Sequence, residues 1–332
     1  MGIHDSVEEL NRLGKRAYLG LILVIGGFCL GFAFATLTGN MLLIFIGAAI
    51  GIYGIRLSAG TNNAYKQLYK DLFVMQPLSK NFDNLYYDWA QGFSEQAVAS
   101  FSLCKMGNRF HSEDYIKASY EGIPFELSDV TVEYHTSGKN SHTTTYFKGR
   151  MLVIDFPEKM VNSVQIFSKS FNYRANQTNF GKPQKVEMES VEFNRAFDVK
   201  AVSPHDAFYL ITPAFMERLA LITMRTRSVA IHTCGNKMVI GFNEPSNNAF
   251  DASNMYKPIS YPDEMDKVQK DIDDIKELIT IIRSMQPAED VARLDPYMNQ
   301  GAYPGQGSYN PGQSVYRDTP QPVYQNDYYS SF

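Results

Sequence analysis

The chain is short of cysteine, has a single tryptophan, and nowhere gathers lysine and arginine into a dense run. Of its three cysteines, Cys29 lies inside an apolar stretch, while Cys104 and Cys234 are far apart in sequence. They do not read as a disulfide framework, and they suit a reducing compartment. A formal net charge of −4 without a basic cluster lacks the positive footprint that releases counterions from phosphates, which argues against nucleic acid as a partner. Also missing are the GxxxxGK[ST] phosphate loop, the GxSxG elbow and the HExxH zinc motif, so no cofactor is implied.

What the chain does have is two long apolar runs close together, residues 17–37 and 41–59. Each is about long enough to cross a ~30 Å hydrocarbon core. The eleven Leu, Ile, Val and Phe residues of the first run favour insertion by about 3–6 kcal/mol. Its length, and the second run directly after it, argue against a cleaved signal peptide. Arg56, near the end of the second run, is placed to carry its guanidinium out to the headgroups. Arg12, Lys15 and Arg16 precede the first run and Arg56, Lys66 and Lys70 end or follow the second, whereas the connector Thr38-Gly39-Asn40 is uncharged. The positive-inside rule then puts both ends of the chain in the cytoplasm.

An antiparallel hairpin turning at Gly39 brings residues whose numbers sum to 78 to equal depth, pairing Gly31 with Gly47 and Gly27 with Gly51. Gly27 and Gly31, like Gly47 and Gly51, are also four apart, the spacing that lets helix backbones approach. The expected role is packing within the hairpin, with a dimer face as the alternative.

The rest reads as an α+β domain on this anchor. Residues 1–16, with a capping-box pattern at Ser6–Glu9, predict a short amphipathic helix on the inner membrane surface. Helices are expected from Asn62 or Asn63 to about Val74, closed by Pro77, and over roughly 82–101. From Asp114 the period becomes two, and the segments DYIKASYE, PFELSDVTVEYH, TTTYFKGRMLVIDF and NSVQIFSKS predict an antiparallel meander. Ser203-Pro204 and Thr212-Pro213 mark two helix starts, and Gly235-Asn236 a hairpin turn. The domain is expected over 60–258.

Val268, Ile272, Ile275, Ile279 and Ile282 form an apolar seam on a helix within 259–286. The seam would serve either packing on the domain or a coiled coil between chains, hence a homo-oligomer. Residues 287–332, rich in Tyr, Pro, Gly and Gln, predict a disordered tail.

Reactive groups are sparse. His232 and Cys234, two apart on a predicted strand, share a face and are the only weak catalytic candidates; nothing completes a metal site. His135 and His142 flank a predicted hairpin tip, and Glu187, Glu189 and Glu192 read as a solvated face.

The runs SEDYIKASYEG, TYFKGRMLVIDFPE, VEFNRAFDVKAVS and ITPAFMERLALI resemble a bacterial family catalogued as domain of unknown function 3137, over roughly residues 64–245. The resemblance implies a bacterial, membrane-tethered protein and assigns no activity. The leading expectation is therefore a non-enzymatic protein of the bacterial inner membrane, bound to the lipid bilayer and to a protein partner. The alternative is a membrane-bound enzyme, a hydrolase, with a pocket near His232 and Cys234.

Overall fold

Two apolar helices open the fold. The computed structural model describes residues 2–155, 161–178, 181–226, 228–244 and 250–283, leaving out the side chains of Val161, Asn162, Arg225 and Cys234. The tail expected at 287–332 lies outside the described residues. Helix α1 (Ile3–Thr38) is continuous over 36 residues, about 54 Å. Gly39, at φ +69°, ends it, and the Asn40 side chain accepts the Leu42 amide at 3.0 Å to start α2 (Leu42–Ser58). α1, and the helical run Leu42–Asn81 that α2 opens, are long and apolar enough to cross a membrane, and the protein is a membrane protein on that ground.

The helices meet where neither has a side chain. A Cβ built on Gly31 would stand 2.8 Å from Gly47 Cα, and one on Gly27 would stand 2.7 Å from the Gly47 carbonyl oxygen. Gly20 faces Gly54 in the same way, while the Gly51 amide nitrogen would lie 3.0 Å from a Cβ on Gly27, and a Cβ on Gly51 would meet the ring of Phe28. The backbones thus touch directly, the arrangement that supplies dispersion contacts lipid cannot.

The first sixteen residues do not form a separate surface helix. They are the first four turns of α1, starting at Gly2, whose amide is held by Asp5 at 3.1 Å, rather than at Ser6. Leu10 is fully buried, and Asn11 Oδ1 accepts the Ile259 amide at 2.9 Å. Burial against the domain outcompetes the lipid surface for this apolar stripe.

After Gly60, α3 (Thr61–Tyr69) runs on into a π-helical turn, Lys70–Met75, and then α4 (Gln76–Asn81). Pro77 does not close this run. It sits directly after the π-helical turn, at the start of α4, and the helix continues past it.

The helix expected over 82–101 is mostly not one. Residues Asp83–Asp88 form strand β1, and only Glu95–Phe101 are helical, as α5 capped by Ser94. Tyr86 and Tyr87, expected on that helix, instead pair along β2, a case of tertiary pairing deciding an ambiguous segment.

Strands β2 (Arg109–Tyr120), β3 (Ile123–His135) and β4 (Thr143–Asp155) form the expected meander. Strand β5 (Val161–Ser168) does not continue it. The hairpin β8 (Val229–Gly235) and β9 (Lys237–Phe242), turning at Gly235 with φ +66°, inserts between β4 and β5. Beyond β5 come β7 (Phe197–Ala201) and β6 (Gln184–Val186), giving the antiparallel order β1-β2-β3-β4-β9-β8-β5-β7-β6. Helix α6 (Val191–Ala196) precedes β7.

Alternation along the strands sorts side chains onto two faces. One face, with Leu127, Leu152, Ile166, Ile231 and Ile240, is covered by the start of α1, by α3, α7 (Pro204–Leu210), α8 (Pro213–Arg225) and α9 (Tyr261–Arg283). The other, with Val130, Met151, Phe167 and Val239, is covered by α5 and nearby loops. Thr212 caps α8 by accepting the Phe215 amide at 3.2 Å. Helices α7 and α8, bent by 76°, are together apolar enough for a span. Their residues Ala207, Leu210, Phe215, Leu219 and Ile222 are buried in the domain core, so the pair covers the sheet.

The seam of α9 is spent inside the chain: Val268, Ile272, Ile275, Ile279 and Ile282 are each at most 2% exposed. A coiled coil between chains would need side chains that the fold has already buried.

Candidate functional site

Strand alternation places Asp129 on the same face as Leu127, and Arg150 on the same face as Leu152 and Ile154, under the helix layer. Charges at such inward positions need partners. Arg150 Nε donates to Asp129 at 3.1 Å and Nη1 to Asp271 of α9 at 2.5 Å, while the Phe250 ring covers the guanidinium at 4.7 Å. Next to this triad, Lys70 Nζ lies 2.6 Å from both carboxylate oxygens of the fully buried Asp114, and the Tyr87 hydroxyl donates to Asp114 at 2.6 Å. Asp114 sits at φ +57° beside the β2 bulge, and Lys70 opens the π-helical turn. Two local irregularities thus bring two charges together.

Sequence reasoning passed over these residues except Lys70, which it counted among the cations following the second apolar run and which the fold instead buries against Asp114. The legible sign was a charge at an inward strand position, as in "GRMLVI" and "LSDVTV".

The environment sets the protonation of the network. Burial pushes the Asp129 carboxyl up to about 6, with Asp114 and Asp271 adding repulsion and Arg150 opposing them. Burial works against the Arg150 charge, but Asp271 and Asp129 outweigh it and hold its pKa above the usual value. Burial and Asp114 raise that of Tyr87.

A carboxyl raised from 3.8 in the unfolded chain to about 6 takes up its proton on folding. Its stabilising contribution is complete below about pH 4 and is lost as pH rises through about 6. Unfolding of wild type and Asp129→Asn should therefore diverge with pH. Relative to the variant, wild type is expected to lose up to about 3 kcal/mol between about pH 4 and pH 7. Parallel curves would contradict the assignment.

On the opposite face, His232 is 1% exposed. Its Nδ1 lies 2.7 Å from the Phe101 carbonyl oxygen, which can only accept, so Nδ1 carries the proton and Nε2 accepts from Ser163 Oγ at 2.9 Å. Burial lowers the His232 pKa, with the Phe101 carbonyl partly opposing it. Ser163 is itself fully buried. The side chain of the other candidate, Cys234, lies outside the described residues. Cys104 is buried and its thiol is pushed up to about 12, chiefly by burial, which leaves it protonated and unreactive.

The structure does not join His135 to His142. His135 Nδ1 is paired with Thr143 Oγ1 at 2.8 Å, while backbone groups of Thr136 and His142 close the turn. Among the described residues no three His, Cys, Asp or Glu side chains gather as metal ligands. Glu187, Glu189 and Glu192 are exposed.

The domain does have an open concavity. A groove of about 970 Å³ runs beside the first four turns of α1 to the start of α9. Its lining includes apolar Ile3, Val7 and Tyr261 together with Glu8, Glu9 and Lys15.

Residues 145–286 match a family described as "Protein of unknown function (DUF3137)". This part of the chain is similar to the DUF3137 family. The DUF3137 segment runs from β4 to the end of α9, so it begins later than the resemblance over 64–245 implied and takes in the seam helix. It contains Arg150 and Asp271 of the buried triad, whereas Asp129 precedes it. No curated protein matches the sequence. A solved structure, the "crystal structure of the mycobacterial trehalose monomycolate transport factor A, TtfA", aligns over 65% of this chain and 94% of that one. The identity is 6% and the TM-score 0.33, a likeness too slight to carry an argument.

Proposed function

We propose that this is a non-enzymatic scaffold of the bacterial inner membrane, both ends cytoplasmic, whose domain holds a protein partner close to the lipid. The observation that carries the reading is the groove between α1 and Tyr261. It pairs apolar side chains with charges of both signs, the composition of a surface that takes a segment of another protein. The buried ion-pair network supports the same reading, because it fixes α9, and with it one wall of the groove, to the sheet.

A membrane-bound hydrolase has one observation in its favour, the Ser163–His232 hydrogen bond, which has the form of a nucleophile and its base. Both residues are buried, so a substrate would reach them only after α5 and its loop had lifted away.

The groove is tested by replacing the half-exposed Ile3 with photoreactive benzoylphenylalanine in living cells. The expected result is one reproducible adduct with a second protein, weakened by Glu8→Lys. Adducts with lipid alone, or none, would overturn the reading.

A further inference from the structure

Which end of the sheet faces the membrane follows from two contacts between β2 and the helices. Helix α1 packs against both α2 and α3, so α3 continues along α1 out of the span. Lys70 stands ten residues beyond Gly60, about 15 Å along that axis. It is bonded to Asp114 of β2, and further on the Phe82 ring meets that of Tyr120 at 6.0 Å. From Lys70 to Phe82 the helical chain rises about 18 Å, and from Asp114 to Tyr120 the strand rises about 20 Å. The rises match, so β2 climbs beside the helices, away from the spans.

In the other direction Arg109 lies five residues before Asp114, about 17 Å back. That returns it to the level of Gly60, where α2 leaves the apolar run. Arg109 pairs with Glu133, and the β3–β4 connection begins three residues beyond Glu133. This end of the sheet therefore comes down to headgroup level.

Its chemistry suits that position. Lys105, Arg109 and Lys139 are exposed there, with His135 and His142 beside the turn. Tyr134, 43% exposed, stacks on Tyr146 with the rings 3° from parallel. Cations and amphipathic aromatic rings are the side chains that membrane interfaces favour. Among the described residues the carboxylates near this end are Glu133, engaged by Thr145 at 3.3 Å, and Glu244, which follows β9 beside Gly149.

We propose that the end of the sheet carrying Lys105, Arg109 and Lys139 rests on the lipid surface that the hairpin crosses, its cations against anionic phospholipid headgroups. Such contact adds a second, electrostatic attachment to the hairpin and fixes how the domain stands on the membrane. The inference depends on the hairpin crossing lipid and is independent of the groove, so either can fail alone.

The test uses the full chain with benzoylphenylalanine in place of Lys139, reconstituted in phosphatidylcholine vesicles containing radiolabelled phosphatidylglycerol. Lys237, in the turn at the opposite end of the sheet, serves as the control position. Label is expected at 139 and not at 237, and Arg109→Glu should reduce it at least about fivefold, the attraction one basic side chain contributes at an anionic surface. Equal labelling at both positions, or labelling indifferent to Arg109→Glu, would overturn the proposal. So would an adduct of twice the chain mass, which would show a second copy covering this face.

Discussion

Arg150→Ala should cost the domain about 3–5 kcal/mol, the largest loss expected from a single substitution, because it strands two carboxylates in a site built for a cation. Asp129 and Asp271 each direct an oxygen at the guanidinium, and Phe250 seals the remaining side. Without the cation, α9 loses the ionic tie between Asp271 and Arg150 and leans more heavily on its apolar seam. Removing all three charges together, as Arg150→Met with Asp129→Asn and Asp271→Asn, should recover most of the loss, since the penalty lies in the unpaired charge. Urea unfolding of the full chain in detergent, followed by the fluorescence of the sole tryptophan, Trp89, reads both variants. A loss below about 1 kcal/mol for Arg150→Ala would mean that the carboxylates find water instead of remaining buried.

Gly47→Val should open the membrane hairpin. A Cβ at position 47 would run into the Gly27 carbonyl oxygen and lie 2.8 Å from Gly31 Cα. The obstacles are backbone atoms, which no rotamer change can clear, so the helices must separate. Overpacking of this kind costs about 1–3 kcal/mol, and the lost approach of the two backbones adds to it. By contrast, Gly26→Ala should be silent, because a Cβ there meets nothing within 4 Å. In a cysteine-free background, crosslinking by a short bismaleimide between cysteines placed at 23 and 50, which line one cleft between α1 and α2, should fall in Gly47→Val and persist in Gly26→Ala. Equal crosslinking in the two variants would show that the glycines do not set the separation of the helices.

Much of the fold was legible because local chemistry and tertiary packing agree. Thr212-Pro213 starts α8 where an N-cap and a proline can start a helix, and Gly235 takes the left-handed turn that joins β8 to β9. The apolar stripe of α9 has the right period, although periodicity alone does not say which surface it meets. β1 was misread because an aromatic-rich stretch suits either helix or strand, and only its partner β2 decides. The place of β5 was equally hidden: nothing within it announces that a later hairpin will separate it from β4.

The candidate site was the least legible part. His232 and Cys234 stood out by residue type, yet His232 is held in the core by Ser163 and the Phe101 carbonyl. The charges that organise the domain, Lys70, Asp114, Asp129, Arg150 and Asp271, come from five separate elements. Asp129 and Arg150 give a sign in their inward strand positions, but only the assembled fold brings the five together.

The central claim is that α1 and α2 cross the bilayer as a pair and leave the domain on one side. It is tested most directly by single cysteines in a cysteine-free background, one at Asn40 in the turn and one at Lys182 on the domain, probed with a membrane-impermeant maleimide on sealed vesicles. The account predicts that the two positions label from opposite faces, in whichever orientation the vesicles are prepared. Labelling of both from the same face would contradict it.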